Sequence, residues 1–215
     1  MRIGTGGTVG FSPDGQWVLS IADDGDRIML LPTGPGEPKS LPNGGLYCQS
    51  AAWLPDGKRF VSSCSEKGHG YRLYLRDVSG GPPRAFTPEG VSFIFGAVSP
   101  DGSSVVARGP DRRIAIYPFE PGEPRPFPGL EIDDEPMRWT PDGKGVFVYR
   151  PSAPPLRVEI VDAATGRRSL WKELRPPDPS GVDQVGPIVI APDESSYAYS
   201  YRRSLDELFL ATGLK

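Results

Sequence analysis

Apolar and polar residues alternate along this chain in short runs separated by turn residues, a pattern typical of β-strands. The clearest example is residues 51–61, where two apolar runs flank the tripeptide Pro55-Asp56-Gly57. Proline fixes the backbone at the first corner, aspartate can accept a hydrogen bond from an amide further round the turn, and glycine tolerates a positive φ. The segment therefore predicts two strands joined by a tight hairpin.

The same turn recurs at residues 13–15, 55–57, 100–102 and 141–143, with a degenerate fifth copy, Pro-Asp-Glu, at 192–194. The turn prolines lie 42, 45, 41 and 51 residues apart. A period of about 40 to 50 residues with several strands per unit is typical of propeller blades. We therefore predict one all-β domain over residues 1–215, a β-propeller of five blades with four antiparallel strands each.

Alignment of the five units on their turn prolines predicts the inner strands of each blade. A large apolar residue stands two positions before each proline, which suits an innermost strand: Phe11, Trp53, Val98, Trp139 and Ile190. Adjacent apolar residues follow the proline by five and six positions and predict a second strand covered on both faces: Val18-Leu19, Phe60-Val61, Val105-Val106, Val146-Phe147 and Tyr197-Ala198.

The outer strands have their own patterns. An alternating apolar pair after a charged residue predicts the third strand: Ile28 and Leu30, Leu73 and Leu75, Ile114 and Ile116, Val158 and Ile160, Leu208 and Leu210. The fourth strand is predicted to be short and basic, to end on an apolar anchor and, in three copies, to begin with proline: residues 38–41, 83–86, 124–127 and 168–170. Proline and positive charge protect an exposed sheet edge from pairing with another chain.

The repeat array has two irregularities, one at its ends and one between units. The fifth unit ends after its third strand, and Arg2-Ile3-Gly4-Thr5 parallels Arg84-Ala85-Phe86-Thr87, so residues 1–5 are predicted to close the ring as an outer strand. A closed ring predicts a monomer, whereas an open array predicts a homodimer. Residues 171–183 add roughly ten residues between blades, and we interpret them as a crossover with one packed tryptophan, with a binding loop as the alternative.

Composition excludes several classes of function. The net charge is −3 and the basic residues form no dense run, so we expect no nucleic-acid binding. No stretch is apolar enough to span a membrane, and Met1-Arg2 leads into glycine and threonine without the apolar core of a signal peptide.

Cys48 and Cys64 fall on neighbouring strands of one blade. Two free thiols are the preferred interpretation, with a disulfide as the alternative that strand register would decide.

Motifs for chemistry are weak, and we predict no catalytic, cofactor-binding or metal-binding residue. The chain has one histidine, His69, on a predicted hairpin tip where we expect it exposed and idle, and it has no Gly-x-Ser-x-Gly motif. The glycine-rich residues 4–10 lack the spacing of a phosphate-binding loop. The acidic runs 23–26 and 133–135 do not match an EF-hand and are expected to be solvated turns.

The repeat unit supports a family resemblance. Residues 53–58, Tyr71-Arg72-Leu73-Tyr74-Leu75, Gly80-Gly81 and Arg84-Ala85-Phe86-Thr87 together resemble the TolB-type, WD-repeat-like propeller unit, and the resemblance covers the whole chain. Residues 197–210 with the Gly213-Leu214-Lys215 ending resemble the tail of bacterial serine/threonine kinases that carry such a propeller after the kinase domain. Because the chain has no kinase domain and no membrane segment, kinase activity is assigned to no residue.

The resemblance implies a non-catalytic module that senses a ligand or binds a protein or peptide, often outside the cytoplasmic membrane. We expect no cofactor. Two alternatives stay open. One is a hydrolase or lyase that uses carboxylates of the inner strands, although the sequence singles out no such pair. The other is a scaffold with no ligand of its own.

Overall fold

The computed structural model describes residues 7–152 and 154–205, without the side chains of residues 8 and 94–96. Within these ranges the chain forms eighteen β-strands and no helix. The strands are β1 Gly7–Phe11, β2 Trp17–Ile21, β3 Ile28–Pro32, β4 Lys39–Leu41, β5 Tyr47–Trp53, β6 Arg59–Ser65, β7 Arg72–Asp77, β8 Arg84–Ala85, β9 Ser92–Val98, β10 Ser104–Arg108, β11 Ile114–Pro118, β12 Arg125–Pro126, β13 Glu135–Trp139, β14 Gly145–Tyr149, β15 Leu156–Asp162, β16 Arg168–Leu174, β17 Val182–Ile190 and β18 Tyr197–Arg203.

The strands form five antiparallel sheets in chain order. Sheets 1 to 4 contain β1–β4, β5–β8, β9–β12 and β13–β16, and β17 and β18 pair as sheet 5. The predicted unit of four antiparallel strands is therefore confirmed in four copies. The predicted third strand of the fifth unit, with Leu208 and Leu210, and the predicted closing strand at residues 1–5 lie outside the described residues.

The repeated turn has the predicted geometry. The glycines of the four complete copies, Gly15, Gly57, Gly102 and Gly143, all have φ between 64° and 69°. The turn aspartate accepts a backbone hydrogen bond from the residue two positions later in all five copies, for example from Lys58 to Asp56 Oδ1 at 2.8 Å. In the degenerate copy Glu194 replaces glycine and still has φ 60°. The turn therefore keeps its shape without glycine, at the expense of a strained residue.

Consecutive sheets share their apolar cores. Four clusters of buried side chains join sheet 1 to 2, 2 to 3, 3 to 4 and 4 to 5. The indole N–H of Trp53 donates to Gly10 O at 3.2 Å, and that of Trp139 donates to Ala97 O at 3.0 Å. Each tryptophan stands two residues before its turn proline and reaches the first strand of the preceding sheet. In these two units the tryptophan thus fixes its sheet to the preceding one, whereas Phe11, at the same position of the first unit, is exposed.

The predicted second strands are covered on both faces in the first four sheets, where both residues of each pair are buried. The fifth pair differs, because Tyr197 and Ala198 are exposed on β18. The third-strand pairs of sheets 1 to 3 are also buried, and Val158 is buried in sheet 4. These strand predictions are confirmed; in the fifth copy the second strand is present as β18, but its predicted burial on both faces is wrong.

The outer strand of sheet 4 is not the short strand that the sequence predicts. Leu170, predicted as its apolar anchor, is 49% exposed. The register between β15 and β16 skips Trp171, which forms a bulge, and the strand continues to the buried Leu174. The predicted long insertion is therefore strand at both ends, over residues 171–174 and 182–183, and the connection to β17 is only residues 175–181. Trp171 packs on Phe147, as expected for a crossover with one packed tryptophan.

The preferred interpretation of two free thiols is wrong, because Cys48 and Cys64 form a disulfide. Cys48 lies directly opposite Cys64 in the register of β5 and β6, and their Cα atoms are 4.0 Å apart. Both side chains are buried in the core that joins sheets 1 and 2. Register, which the sequence left open, decides this pairing.

Candidate functional site

The antiparallel order of each sheet gives it two ends with different loops. One end carries the Pro-Asp-Gly turns between first and second strands. The other end, here called the crossover face, carries the hairpins between second and third strands and the connections from one sheet to the next. The first strands β1, β5, β9 and β13 lie side by side in that order. Residues at the start of these strands therefore meet at the crossover face.

Two clefts at the crossover face meet at Gln49, and together they form the surface we call the inner groove. The first cleft, of ≈ 340 Å³, is lined by residues that include Val9, Asp23 and Tyr47. The second, of ≈ 120 Å³, is lined by residues that include Ser92, Arg108 and Glu135. Gln49 lines both clefts and donates to Ser63 Oγ at 3.3 Å. The groove thus follows the first strands of sheets 1 to 4.

Tyr47 is an exposed aromatic residue in a fixed position. Its side chain lies against Gly25, where an added Cβ would overlap the tyrosine ring. Gly25 has φ 70°, and its carbonyl accepts a hydrogen bond from Cys48 N at 2.8 Å. Tyr47 itself is 49% exposed. A rigid tyrosine with an open face is suited to contact a partner, because it provides apolar area at low entropic cost.

Arg108 and Glu135 form the charged pair of the inner groove. Their side chains are three-quarters or more buried, and Arg108 Nη2 lies 3.3 Å from Glu135 Oε1. Arg108 also donates to the carbonyls of Asp134 at 3.0 Å and of Ile132. Burial raises the pKa of Glu135, although Arg108 acts in the opposite direction. Burial also raises the pKa of Tyr149 to about 12, and the nearby Glu135 adds to that rise. The pair is held by the fold and presents no free nucleophile.

Asp134 is the centre of a buried ionic network behind the groove. Its side chain is 0% exposed and accepts hydrogen bonds from Arg168 at 2.8 and 3.0 Å and from Arg150 at 2.8 Å. Arg168 also contacts Glu159 at 2.8 Å. Burial alone raises the pKa of Asp134, but the hydrogen bonds from the two arginines outweigh it and lower the pKa. The network fixes the connection between sheets 3 and 4.

A buried arginine, Arg76, fixes the connection between sheets 1 and 2. Arg76 donates to Asn43 Oδ1 at 2.6 Å and to Pro42 O. No carboxylate pairs with it among the described residues, and desolvation lowers its pKa to about 10. Asn43 in turn donates to Asp26 O at 2.9 Å. This arginine therefore supports the loop that carries Gly25, against which Tyr47 lies.

The residues that the sequence singled out for possible chemistry do not come together. His69 lies on a hairpin and its side chain is 56% exposed, as expected, but it is not without a partner, since Nδ1 lies 2.7 Å from Glu89 Oε1. In the run 133–135, Asp133 is exposed, while Asp134 and Glu135 are each held by arginine. Arg27 contacts both Asp24 and Asp26. Over the described ranges, no three His, Cys, Asp or Glu side chains group as a metal site would require.

Sequence reasoning missed the polar residues of the groove, although the repeat contains a pattern that could have found them. Gln49 and Glu135 stand at the same place in their units, six residues before the turn prolines Pro55 and Pro141. A polar side chain near the start of an innermost strand, at the same place in two units, indicates a surface that is not core. Arg108 has no such pattern.

Comparison with known proteins identifies the fold but not a family. No protein-family model matches the chain, and no curated protein matches it. TolB from Acinetobacter baumannii is similar with a TM-score of 0.59 and 23% identity, over 80% of this chain and 43% of that chain. The putative TolB from Agrobacterium tumefaciens is similar with a TM-score of 0.63 and 18% identity, over 92% of this chain and 76% of that chain.

At these identities the likeness shows the fold alone, which is an all-β propeller of the TolB type. The predicted resemblance to TolB-type repeats is confirmed at the level of the fold. The chain spans less than half the length of the first of these structures. The number of blades and the relation to kinase-associated propellers stay predictions.

Proposed function

We propose that this chain is a non-catalytic binding module that holds a protein or peptide segment in the inner groove. The observation that carries the proposal is the fixed, half-exposed Tyr47 at a groove whose central charges, Arg108 and Glu135, are already paired. Aromatic anchors beside neutralised polar groups suit recognition of a polypeptide. The proposal agrees with the TolB-type propeller fold, which offers a rigid support for such a groove.

The enzyme alternative has less support. Hydrolysis or elimination by carboxylates needs two of them facing one substrate. The described first strands contain two acidic residues, Glu135 and Asp183, and each is paired with an arginine, Arg108 or Arg202. A hydrolase would have to release these pairs before reaction. The scaffold alternative predicts no ligand at the groove and is distinguished by the same experiment as the enzyme.

The experiment is selection of a random peptide library displayed on phage, together with a screen for hydrolysis of an oligosaccharide array. We expect peptides that bind the wild-type chain and lose at least tenfold in affinity with Tyr47→Ala. Tyr201→Ala is the matched control, because Tyr201 is also about half exposed, at 44%, but lies on β18. Turnover that Glu135→Gln abolishes would support the enzyme, and an absence of Tyr47-dependent peptides would support the scaffold.

The compartment is proposed from the disulfide. Disulfides persist in oxidising environments and are rare in reducing ones, so the Cys48–Cys64 bond supports a location outside the cytoplasm. No helix of the described part of the chain is long and apolar enough to cross a membrane. An origin in a receptor-type serine/threonine kinase rests on the resemblance of residues 197–215, most of which lie beyond the described ranges. It stays a prediction, as does the choice between monomer and homodimer.

A further inference from the structure

The outer strand of sheet 4 differs from the other outer strands in length. β16 has seven residues, whereas β4 has three and β8 and β12 have two each. β16 pairs with β15 on one side and is the last strand of its sheet. Its other edge has no backbone partner in the described part of the chain. It therefore presents a row of unpaired N–H and C=O groups, which is a template for pairing with another strand.

The edge keeps positive charge, at Arg168 and Lys172, but lacks the proline that its counterparts have. A proline precedes the basic residue in the other three outer strands, at Pro38, Pro83 and Pro124, whereas residues 168–174 contain no proline. Leu170 on β16 is half exposed. An apolar side chain on a free edge without proline favours the addition of a strand.

An aromatic corner lies beside this edge. The rings of Trp171 and Tyr197 are 5.7 Å apart and meet at 78°. The Lys172 ammonium lies 4.4 Å from the Tyr197 ring and 5.2 Å from the Trp171 ring. No carboxylate pairs with Lys172, and the Trp171 indole N–H has no acceptor, within the parts of the chain that the structure describes. The corner thus offers apolar area, one donor and one positive charge without a counterion.

We propose that the outer edge of β16 binds an extended peptide segment of a partner protein, which adds as a further strand to sheet 4. Backbone hydrogen bonds to the edge would supply affinity, and side chains on alternate residues would supply specificity. The segment carries apolar residues against Leu170 and the aromatic corner. It carries an acidic residue opposite Lys172, because opposite charges on paired strands attract.

The bulge decides against a second copy of this chain as the occupant. If two copies of the chain paired edge to edge through β16, each would bring its own bulge at Trp171 into the new strand pair. A bulge interrupts the hydrogen-bond ladder of the strand that contains it. A flexible foreign segment has no such constraint. This edge belongs to an outer strand, whereas the inner groove is formed by first strands, so the two proposals are independent and can fail separately.

The test is a phage selection of random peptides against the wild-type chain, followed by affinity measurements on the selected peptides. We expect a class of peptides with an acidic residue that lose at least tenfold in affinity with Leu170→Asp, which places a repelling charge on the edge. Val189→Asp is the matched control, because Val189 is 66% exposed on β17 and away from this edge. Lys172→Gln should weaken the same peptides and reduce the salt dependence of their binding.

Strand addition has a distinctive chemical test. Successive N–H groups of an extended strand point alternately towards and away from the neighbouring strand. N-methylation of the selected peptide should therefore abolish binding at every second position and be tolerated between them. Circular dichroism of Leu170→Asp checks that the fold is intact.

Three results would overturn the proposal. The first is that no selected peptide is weakened by Leu170→Asp relative to Val189→Asp. The second is an N-methyl scan without two-residue periodicity. The third is a wild-type dimer, seen by light scattering, that Leu170→Asp converts to a monomer, which would make a second copy the occupant. Selected peptides that are all weakened by Tyr47→Ala, and none by Leu170→Asp, would be an instance of the first result and would support the inner groove instead.

Discussion

At the scale of single residues, the buried Asp134 is the carboxylate on which most contacts converge. Asp134→Ala removes the hydrogen bonds from Arg168 and Arg150. The partly buried Arg168 then has Glu159 as its remaining acidic partner. We expect a loss of about 3 kcal/mol in the free energy of unfolding, measured by urea denaturation at pH 7. Asp133→Ala is the control, because the exposed neighbour should change stability by less than about 0.5 kcal/mol.

The pH dependence of this loss has a defined sign. The pKa of Asp134 is lower in the folded protein than in the unfolded chain. Its contribution to stability is therefore fully present above the unfolded value of about 3.9 and is lost as the pH falls through the folded pKa. The destabilisation by Asp134→Ala should shrink below about pH 4. An equal loss at pH 7 and at pH 3 would contradict the ionic role.

The adjacent Glu135 should show the opposite sign. Burial raises its pKa above the unfolded value of about 4.3, so the folded state binds more protons in that range. Stability is lost as the pH rises through the unfolded value towards the folded pKa. Urea denaturation at pH 4 and pH 7 should show Glu135→Gln becoming more stable relative to wild type at the higher pH. A constant difference between the two would show that Arg108 compensates fully for burial.

Local residue chemistry could be predicted from sequence and distant partners could not. The hydrogen bond of each turn aspartate joins residues two apart, so the tripeptide alone indicates it. The partners of Asp134 lie 16 and 34 residues away, on strands whose register no local pattern defines. Asp133-Asp134-Glu135 therefore resembled a solvated run, although two of its three carboxylates are held by arginines.

At the scale of elements, the repeated turn makes a matched pair of substitutions available. Gly57→Val places a β-branched residue at φ 64°, and we expect a loss of about 1 to 3 kcal/mol. The nearest atom to the new Cβ is 3.7 Å away, so the loss measures backbone strain and not overlap. Glu194→Gly relieves the same strain at φ 60° and should raise the thermal midpoint. Unchanged midpoints in both variants would contradict the turn geometry.

The disulfide is the second element-scale prediction. It closes a loop of 16 residues between β5 and β6, and its removal by Cys48→Ala with Cys64→Ala should cost about 3 kcal/mol. Reductant should lower the thermal midpoint of the wild-type chain and leave the double variant unchanged. Titration of thiols in denaturant without reductant should find none. Two reactive thiols would show that the chain is reduced.

Strand existence followed from sequence, whereas register and strand length did not. Period-two patterns and turn prolines located the strands of four sheets, because each pattern is local. The pairing of Cys48 with Cys64 depends on register, and a shift of one residue would place the side chains on opposite faces. The extension of β16 depends on the bulge at Trp171, and no residue pattern marks a bulge there.

At the scale of the whole molecule, the sheets of the described part of the chain are joined through contacts between neighbours in chain order. The four core clusters and the two tryptophan hydrogen bonds all connect consecutive sheets. The repeat period was sufficient to predict this architecture, because each unit buries its faces against the next. The position of the groove was not predictable, because it needs the starts of several first strands in one place.

The tryptophans offer a test of how the sheets are joined. Trp139→Phe keeps an aromatic ring but removes the donor to Ala97 O, which leaves a buried carbonyl without that partner. Trp171→Phe makes the same chemical change at an indole whose N–H has no acceptor among the described residues. We expect Trp139→Phe to lower the free energy of unfolding by at least about 1 kcal/mol more than Trp171→Phe does, measured by urea denaturation. Equal losses would show that ring packing alone, and not the hydrogen bond, joins sheet 4 to sheet 3. If the difference is found, Trp53→Phe should show a similar loss at the junction of sheets 1 and 2, because its indole makes the equivalent bond to Gly10 O.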